Sequence, residues 1–307
     1  MKGLFYRQLN TEVLVRDPAK RRYNSPEAAE SHARDHWEYA VMSRASYEKA
    51  RINAKQSHCE DQTYTSTVHA TLPGWSRWAD FPSENLLDKL NSSGLHVDVW
   101  ERRETPQIIA VVFEGTNATS IQDWCANLRW LLRFVPNYED QYTVAADEVA
   151  REFYERLAVN PTRYEIDVGC PELKSADGEV VKIVTSGHSL GGGLAQYFAY
   201  AFPQPYASGG PKVSEVFAFD PSPVTGWSVV PRGMRTYNAH NLRINRIFEH
   251  GEILAYLRLV TSRLSGYSAH PSVWEYRYNF DSSYKFIENH SISILSEGLM
   301  KAAGAGK

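Results

Sequence analysis

Ser189 stands at the centre of Gly187-His188-Ser189-Leu190-Gly191, with Gly192 and Gly193 following. A serine flanked by glycines two places before and two places after fits a sharp strand-to-helix turn. There the neighbouring strand and helix come too close for a side chain, and the hydroxyl is lifted above the end of a sheet. The chemistry such a turn serves is nucleophilic attack on a carbonyl. The amide of Leu190, at the start of the following helix, is placed to stabilise the negative oxygen that results. A bare match to this pattern arises by chance in glycine-rich chains. Here an apolar run precedes it and an Ala/Leu-rich helical stretch follows it. A phosphate-binding loop is disfavoured, since no Gly-Lys-Ser/Thr follows.

A serine needs a base, and the base needs an acid to orient it. In chains with this turn they follow in the order Ser, acid, His. Downstream of Ser189 the acids at strand ends are Asp220 and Glu252, and the late histidines are His270 and His290. All four fit the order. His270 lies only 18 residues after Glu252, which leaves little chain to return across a sheet, so His290 is the preferred base and His270 the alternative. His188 and His250 read as structural or solvated.

The elements that must position these groups are visible as patterns. Gln107–Glu114 (QIIAVVFE) and Glu179–Ser186 (EVVKIVTS) are nearly continuous apolar runs of the kind found in strands buried on both faces. Strands are further predicted at 96–100, 214–219 and 242–248, and helices at 25–50 (opened by Ser25-Pro26), 121–134, 141–159, 190–202, 252–264 and 290–302. Residues 273–280 alternate like an edge or hairpin strand, whereas 55–95 reads as irregular and 160–178 as an inserted turn. The alternation of strand and helix predicts an α/β architecture with a central, mostly parallel sheet flanked by helices. One domain is expected over 1–307, with 1–95 as a helical and irregular extension and 96–303 as the core.

A second motif narrows the reading. Val112-Phe113-Glu114-Gly115-Thr116, followed by Asp123-Trp124 and Asn127-Leu128, together with Gly187–Gly192, resembles the class 3 lipase family of fungi and bacteria, over about residues 105–290. The resemblance implies an α/β-hydrolase fold and a serine ester hydrolase acting on lipid esters, as a triacylglycerol lipase or a phospholipase A-type enzyme. It implies that Thr116 joins the Leu190 amide in the oxyanion hole. It places the catalytic acid in Arg246–Leu254, at Glu252, with Asp220 as the alternative. Trp130, Leu131 and Phe134 fall where the family carries a lid. Glu114 stands where the family usually has arginine, which leaves the geometry of the oxyanion loop less constrained. Rival readings are a non-lipid carboxylesterase, an acyltransferase, and a catalytically silent hydrolase fold used for binding.

Composition sets the outer limits. The formal net charge of −3 offers no field for a nucleic acid. Three cysteines, Cys59, Cys125 and Cys170, form no C-x-x-C pair and suggest neither a disulfide framework nor a zinc site. No metal or organic cofactor is called for by the predicted chemistry. There is no signal-peptide pattern or run of about 20 apolar residues, so the expectation is a chain cytoplasmic as synthesised, with export by a signal-independent system left open. The aromatic share of 12% is high. It fits either a packed core or an apolar rim that touches lipid, with Trp75, Trp78 and Phe81 as a second rim candidate and transient contact with a membrane surface as the corollary.

Overall fold

The computed structural model describes residues 11–20, 25–54, 72–115, 141–160, 163–204, 209–223, 225–252, 270–281 and 290–305. Among them the strands are β1 (Glu12–Arg16), β2 (Ser25–Ala28), β3 (Trp75–Arg77), β4 (Val97–Arg102), β5 (Gln107–Phe113), β6 (Tyr164–Ile166), β7 (Leu173–Ser175), β8 (Val180–His188), β9 (Val213–Phe219), β10 (Arg243–Glu249) and β11 (Ser272–Tyr278). The helices are α1 (Ala29–Ala54), α2 (Glu84–Ser93), α3 (Gln141–Val159), α4 (Leu190–Ala201), α5 (Arg232–Ala239) and α6 (Ile292–Ala303).

All the strands belong to one mixed sheet, whose main order is β2-β1-β11-β10-β9-β8-β5-β4-β3, with β7 and β6 attached beside the start of β8. The five middle strands β5, β8, β9, β10 and β11 are parallel, and the strands beyond them on either side run antiparallel. Parallel neighbours need crossovers, which carry helices over the faces and bury both of them. The continuous apolar run of β5 follows from this. Ile109, Val111 and Phe113 face one core, with α2, α3, α4 and α5, while Ile108, Ala110 and Val112 face another, with α1 and α6.

Several local expectations change. Ser25-Pro26 does not cap a helix: Ser25–Ala28 is β2, an outer strand at one end of the sheet, and α1 begins after it at Ala29. An edge is where a residue without an N–H is tolerated, because only one side of the strand needs a ladder. β11 is not an edge strand, since β1 covers its outer side. Residues 84–93, within the stretch expected to be irregular, form α2. There Ser83 accepts from the Leu86 amide at 3.3 Å, and Gly94 closes the helix at φ 66°. The short β6–β7 hairpin also occupies ground read as a turn. Helix α5 had no counterpart in the sequence pattern. The predicted helices at 121–134 and from 253 to 264 lie outside the described residues.

Trp75, Trp78 and Phe81 are buried, which removes them as a rim. Trp78 stacks on Phe153 with ring centroids 5.7 Å apart, and Phe81 meets the same ring edge-on at 6.1 Å, while Trp75 packs in the core beneath α1. None of the helices among the described residues is long and apolar enough to cross a membrane.

Candidate active site

Strand β8 ends at His188, and the chain turns into α4 through Ser189 at φ 55°, ψ −120°. A non-glycine residue there costs about 1–3 kcal/mol, so neighbouring structure must hold it. It does so on both sides of the residue. The Ser189 amide donates to the Phe219 carbonyl at 2.9 Å, and the Ser189 carbonyl accepts from the Ser222 amide at 2.9 Å. The two glycines are required by contact with backbone. A Cβ on Gly187 would lie 2.4 Å from the carbonyl group of Gly191, and one on Gly191 would lie 2.3 Å from the Phe113 oxygen. The start of α4 is therefore pressed against the end of β5, and the Leu190 amide is among the first amides of the helix, which have no partner within it.

Glu252 lies just beyond β10, at the same carboxyl edge as Ser189, and His290 lies just before α6. The His290 Nδ1 and the Glu252 Oε2 are 2.9 Å apart, and both side chains are buried. The His290 ring stands 4.9 Å from that of His188, the residue before the serine. His290 and Glu252, from two separate elements, are thus paired beside His188, the residue that precedes Ser189.

Asp220 is there too, but in a different position. It follows β9 at φ 40°; its Oδ1 accepts from the Glu249 amide at 3.1 Å and its Oδ2 is 4.0 Å from His188 Nε2. Donor atoms of His188, Asp220 and His290 all lie within 4.8 Å of one another. The Nδ1 bond of His290, however, goes to Glu252. His270 is elsewhere. It precedes β11, which runs parallel to β10 from Arg243↔Ser272, so it sits at the amino edge, a strand length of roughly 20 Å from the carboxyl edge. Its ring lies 4.7 Å from that of His240. Thr116, Trp130, Leu131 and Phe134 lie outside the described residues, as do Asp123, Trp124 and Asn127.

Two residues at the site carried no sequence signal. Tyr47, on α1, has its hydroxyl 2.9 Å from His188 Nδ1. Glu249, the last residue of β10, accepts from the amides of Phe280 at 2.8 Å and Asp281 at 3.2 Å through Oε1. His188, expected to be merely structural or solvated, is buried beside His290. Burial, and then the neighbouring His290, push its imidazole well below the usual range, so it is neutral at pH 7. Burial and the Glu114 charge hold the Tyr47 phenol well above its usual range, partly offset by the Gly115 backbone amide.

Burial raises the Glu249 carboxyl to about 8, against the backbone amides that favour its charge, and Asp220 pushes the same way as burial. The folded protein therefore keeps a proton on Glu249 that the unfolded chain releases above 4.5. The stability that this proton supplies is complete below that value and is lost as pH rises through about 8. Glu249→Gln, which keeps the Oε1 acceptor without the charge, is expected to match the wild-type Tm at pH 5 and exceed it at pH 9. Thermal melts at the two pH values check this, and an equal Tm difference at both would refute it.

Residues 110–256, just under half of the chain, match the model of the family described as Lipase (class 3). No curated protein sequence matches. Solved structures with a similar backbone include lipase II from Rhizopus niveus (14% identity, 80% of this chain and 78% of that one, TM-score 0.41). Others are a lipase from Rhizopus microsporus var. chinensis (12%, 74% and 69%, TM-score 0.43) and the Rhizomucor miehei lipase propeptide complex (15%, 81% and 67%, TM-score 0.39). At such identities and TM-scores none of these likenesses transfers a residue role. Over residues 110–256 the chain is similar to the class 3 lipase family, and that stretch holds the serine turn and Glu252 within a mixed sheet flanked by helices.

Proposed function

We propose that this chain hydrolyses lipid esters through an acyl-enzyme on Ser189, with His290 as base and Glu252 as the acid that orients it. The observation that carries this reading is the buried His290–Glu252 bond of 2.9 Å beside the strained turn of Ser189. Ser189 Oγ attacks the ester carbonyl carbon while its proton passes to His290 Nε2. Glu252 holds the ring in the tautomer with its proton on Nδ1 and stabilises the imidazolium that forms. The carbonyl electrons move onto oxygen, where the Leu190 amide and Thr116 meet them; one such donor is typically worth about 10²–10³ in rate. Collapse expels the alcohol, which leaves with the proton from His290. Water then attacks the acyl carbon, gives its proton to His290, and the fatty acid departs as Ser189 recovers its hydrogen. Trp130, Leu131 and Phe134 are assigned contact with an acyl chain or lipid surface.

A fluorophosphonate probe followed by peptide mapping tests the chemistry. The expected result is one labelled site at Ser189, absent in Ser189→Ala, which also loses hydrolysis of every ester tried. Labelling elsewhere, or undiminished in the variant, would end the serine reading. Emulsified triacylglycerol, phospholipid vesicles and soluble p-nitrophenyl esters separate the substrates. A higher kcat/KM on either lipid supports the lipid assignment, whereas turnover confined to the soluble ester would move the enzyme to the carboxylesterases.

A further inference from the structure

The triad reading uses three side chains, yet the base does not stand alone. Its ring lies 4.9 Å from that of His188, and His188 is in turn held by Tyr47 from α1. Helix α1 crosses the carboxyl ends of the middle strands. Ser43 Oγ lies 2.9 Å from Ser186 Oγ on β8, Tyr39 stacks on Phe217 of β9 at 3.9 Å, and the His36 Nδ1 is 3.0 Å from the Tyr278 hydroxyl at the end of β11. Arg44 donates to Glu297 at 2.8 Å, which ties α1 to α6, the helix that follows the base. These contacts fix Tyr47 over the elbow. Gly115, the residue before the proposed oxyanion donor Thr116, approaches the same point, since a Cβ there would lie 2.2 Å from both the Tyr47 hydroxyl and the His188 carbonyl.

The direction of the bond follows from its surroundings. His188 Nε2 faces the Asp220 carboxylate at 4.0 Å, which favours the ring proton on that side. Nδ1 then accepts, and the Tyr47 hydroxyl donates. The phenol and the imidazole are both neutral at pH 7, so the bond fixes one tautomer and one ring orientation without placing a second cation against His290.

We infer that Tyr47 is a positioning residue for the reaction: through its 2.9 Å bond it locks the His188 ring, and that ring is the wall against which the base His290 is set. The inference rests on the triad reading of the preceding subsection. Without the hydroxyl, the His188 ring can turn, and His290 loses a fixed neighbour. A misplacement on the order of 1 Å in a catalytic group costs about a hundredfold, so a loosened wall is expected to cost kcat about ten- to a hundredfold.

Tyr47→Phe removes the hydroxyl and keeps the ring. Steady-state kinetics on a p-nitrophenyl ester should show kcat reduced by that factor with KM within about twofold, because no substrate contact has been removed. In His188→Asn the amide oxygen stands near the position of Nδ1 and can still accept from Tyr47, so it should retain more kcat than His188→Ala, in which Tyr47→Phe should have no further effect. Arg34→Ala, which removes a solvent-exposed pair with Glu30 within α1, should leave kcat unchanged. Wild-type kcat in Tyr47→Phe, or an equal loss in Arg34→Ala, would reduce Tyr47 to a packing residue while Ser189 of the wild type still takes the fluorophosphonate. If the wild type is not labelled at Ser189, the triad reading falls and the positioning role falls with it.

Discussion

Glu252→Gln should lower kcat by about 10³–10⁴-fold with little change in fold, the size of effect seen when an orienting carboxylate is made an amide. The reason lies in the protons. A carboxylate at 2.9 Å from Nδ1 accepts only, so it keeps the ring proton on Nδ1 and leaves Nε2 free to take the serine proton. A glutamine can present its NH₂ to Nδ1 instead, which puts the ring proton on Nε2 and disables the base. Packing is nearly unchanged by the swap, so circular dichroism and Tm should stay close to the wild type. Asp220→Asn is the informative comparison. Its Oδ1 can still accept from the Glu249 amide, and the bond to His290 Nδ1 is made by Glu252, so the loss should stay within about tenfold. Reversed magnitudes would hand the acid role to Asp220.

Gly191→Ala is expected to cost about 3 kcal/mol or more and at least a hundredfold in kcat/KM, a large penalty for one methyl group. The added Cβ would lie 2.3 Å from the Phe113 oxygen and 2.7 Å from the Glu114 oxygen. Both are backbone atoms at the end of β5, so neither can swing aside as a side chain would. Relief requires α4 to move away from β5. That displaces the Leu190 amide and the segment leading to Thr116 together, which are the two proposed sides of the oxyanion hole. Gly233→Ala on α5 provides the contrast, since a Cβ there meets nothing within 4 Å and alanine is the better helix former by about 0.8–1 kcal/mol. Denaturant melts of the two variants should move in opposite directions, and a Gly191→Ala protein with wild-type stability and activity would refute the close-contact argument.

What could be read from the sequence was what local rules enforce. The elbow was visible because a strained serine demands glycine two places before and after, and β5 because a strand covered on both faces is apolar throughout. α2 was equally well marked, by Ser83 before it and Gly94 after it, but its apolar positions Leu86 and Leu90 are sparse and the surrounding turns masked them. The proposed order of Ser, acid and His was legible, with Glu252 and His290 preferred, but the sequence left Asp220 and His270 open. That Glu252 rather than Asp220 takes Nδ1, and that His270 lies at the far edge, depends on which end of a parallel strand each residue occupies. Tyr47 was out of reach for the same reason. It meets His188 across 141 positions, and no spacing in a single chain announces such a contact. Aromatic content failed differently: a count of rings does not say which side of a sheet they face, and Trp75, Trp78 and Phe81 proved to be interior.

The pairing of α1 with α6 also bears on how the molecule comes into being. The core beneath α1 is completed by Leu295 and Leu299, and the Arg44–Glu297 link joins positions 253 apart. During synthesis, the part of helix α1 that meets α6 stays uncovered until α6 is available, so loop closure over most of the chain must precede the last layer of packing. His290 arrives with α6. With His290 as the proposed base, hydrolytic competence waits for this helix pair to close rather than growing in step with the sheet, and a ribosome-bound intermediate that already displays the serine turn lacks that proposed base. Slow closure also leaves an apolar surface exposed for a time, which makes this helix pair the place where chaperone dependence or aggregation of the nascent chain should concentrate.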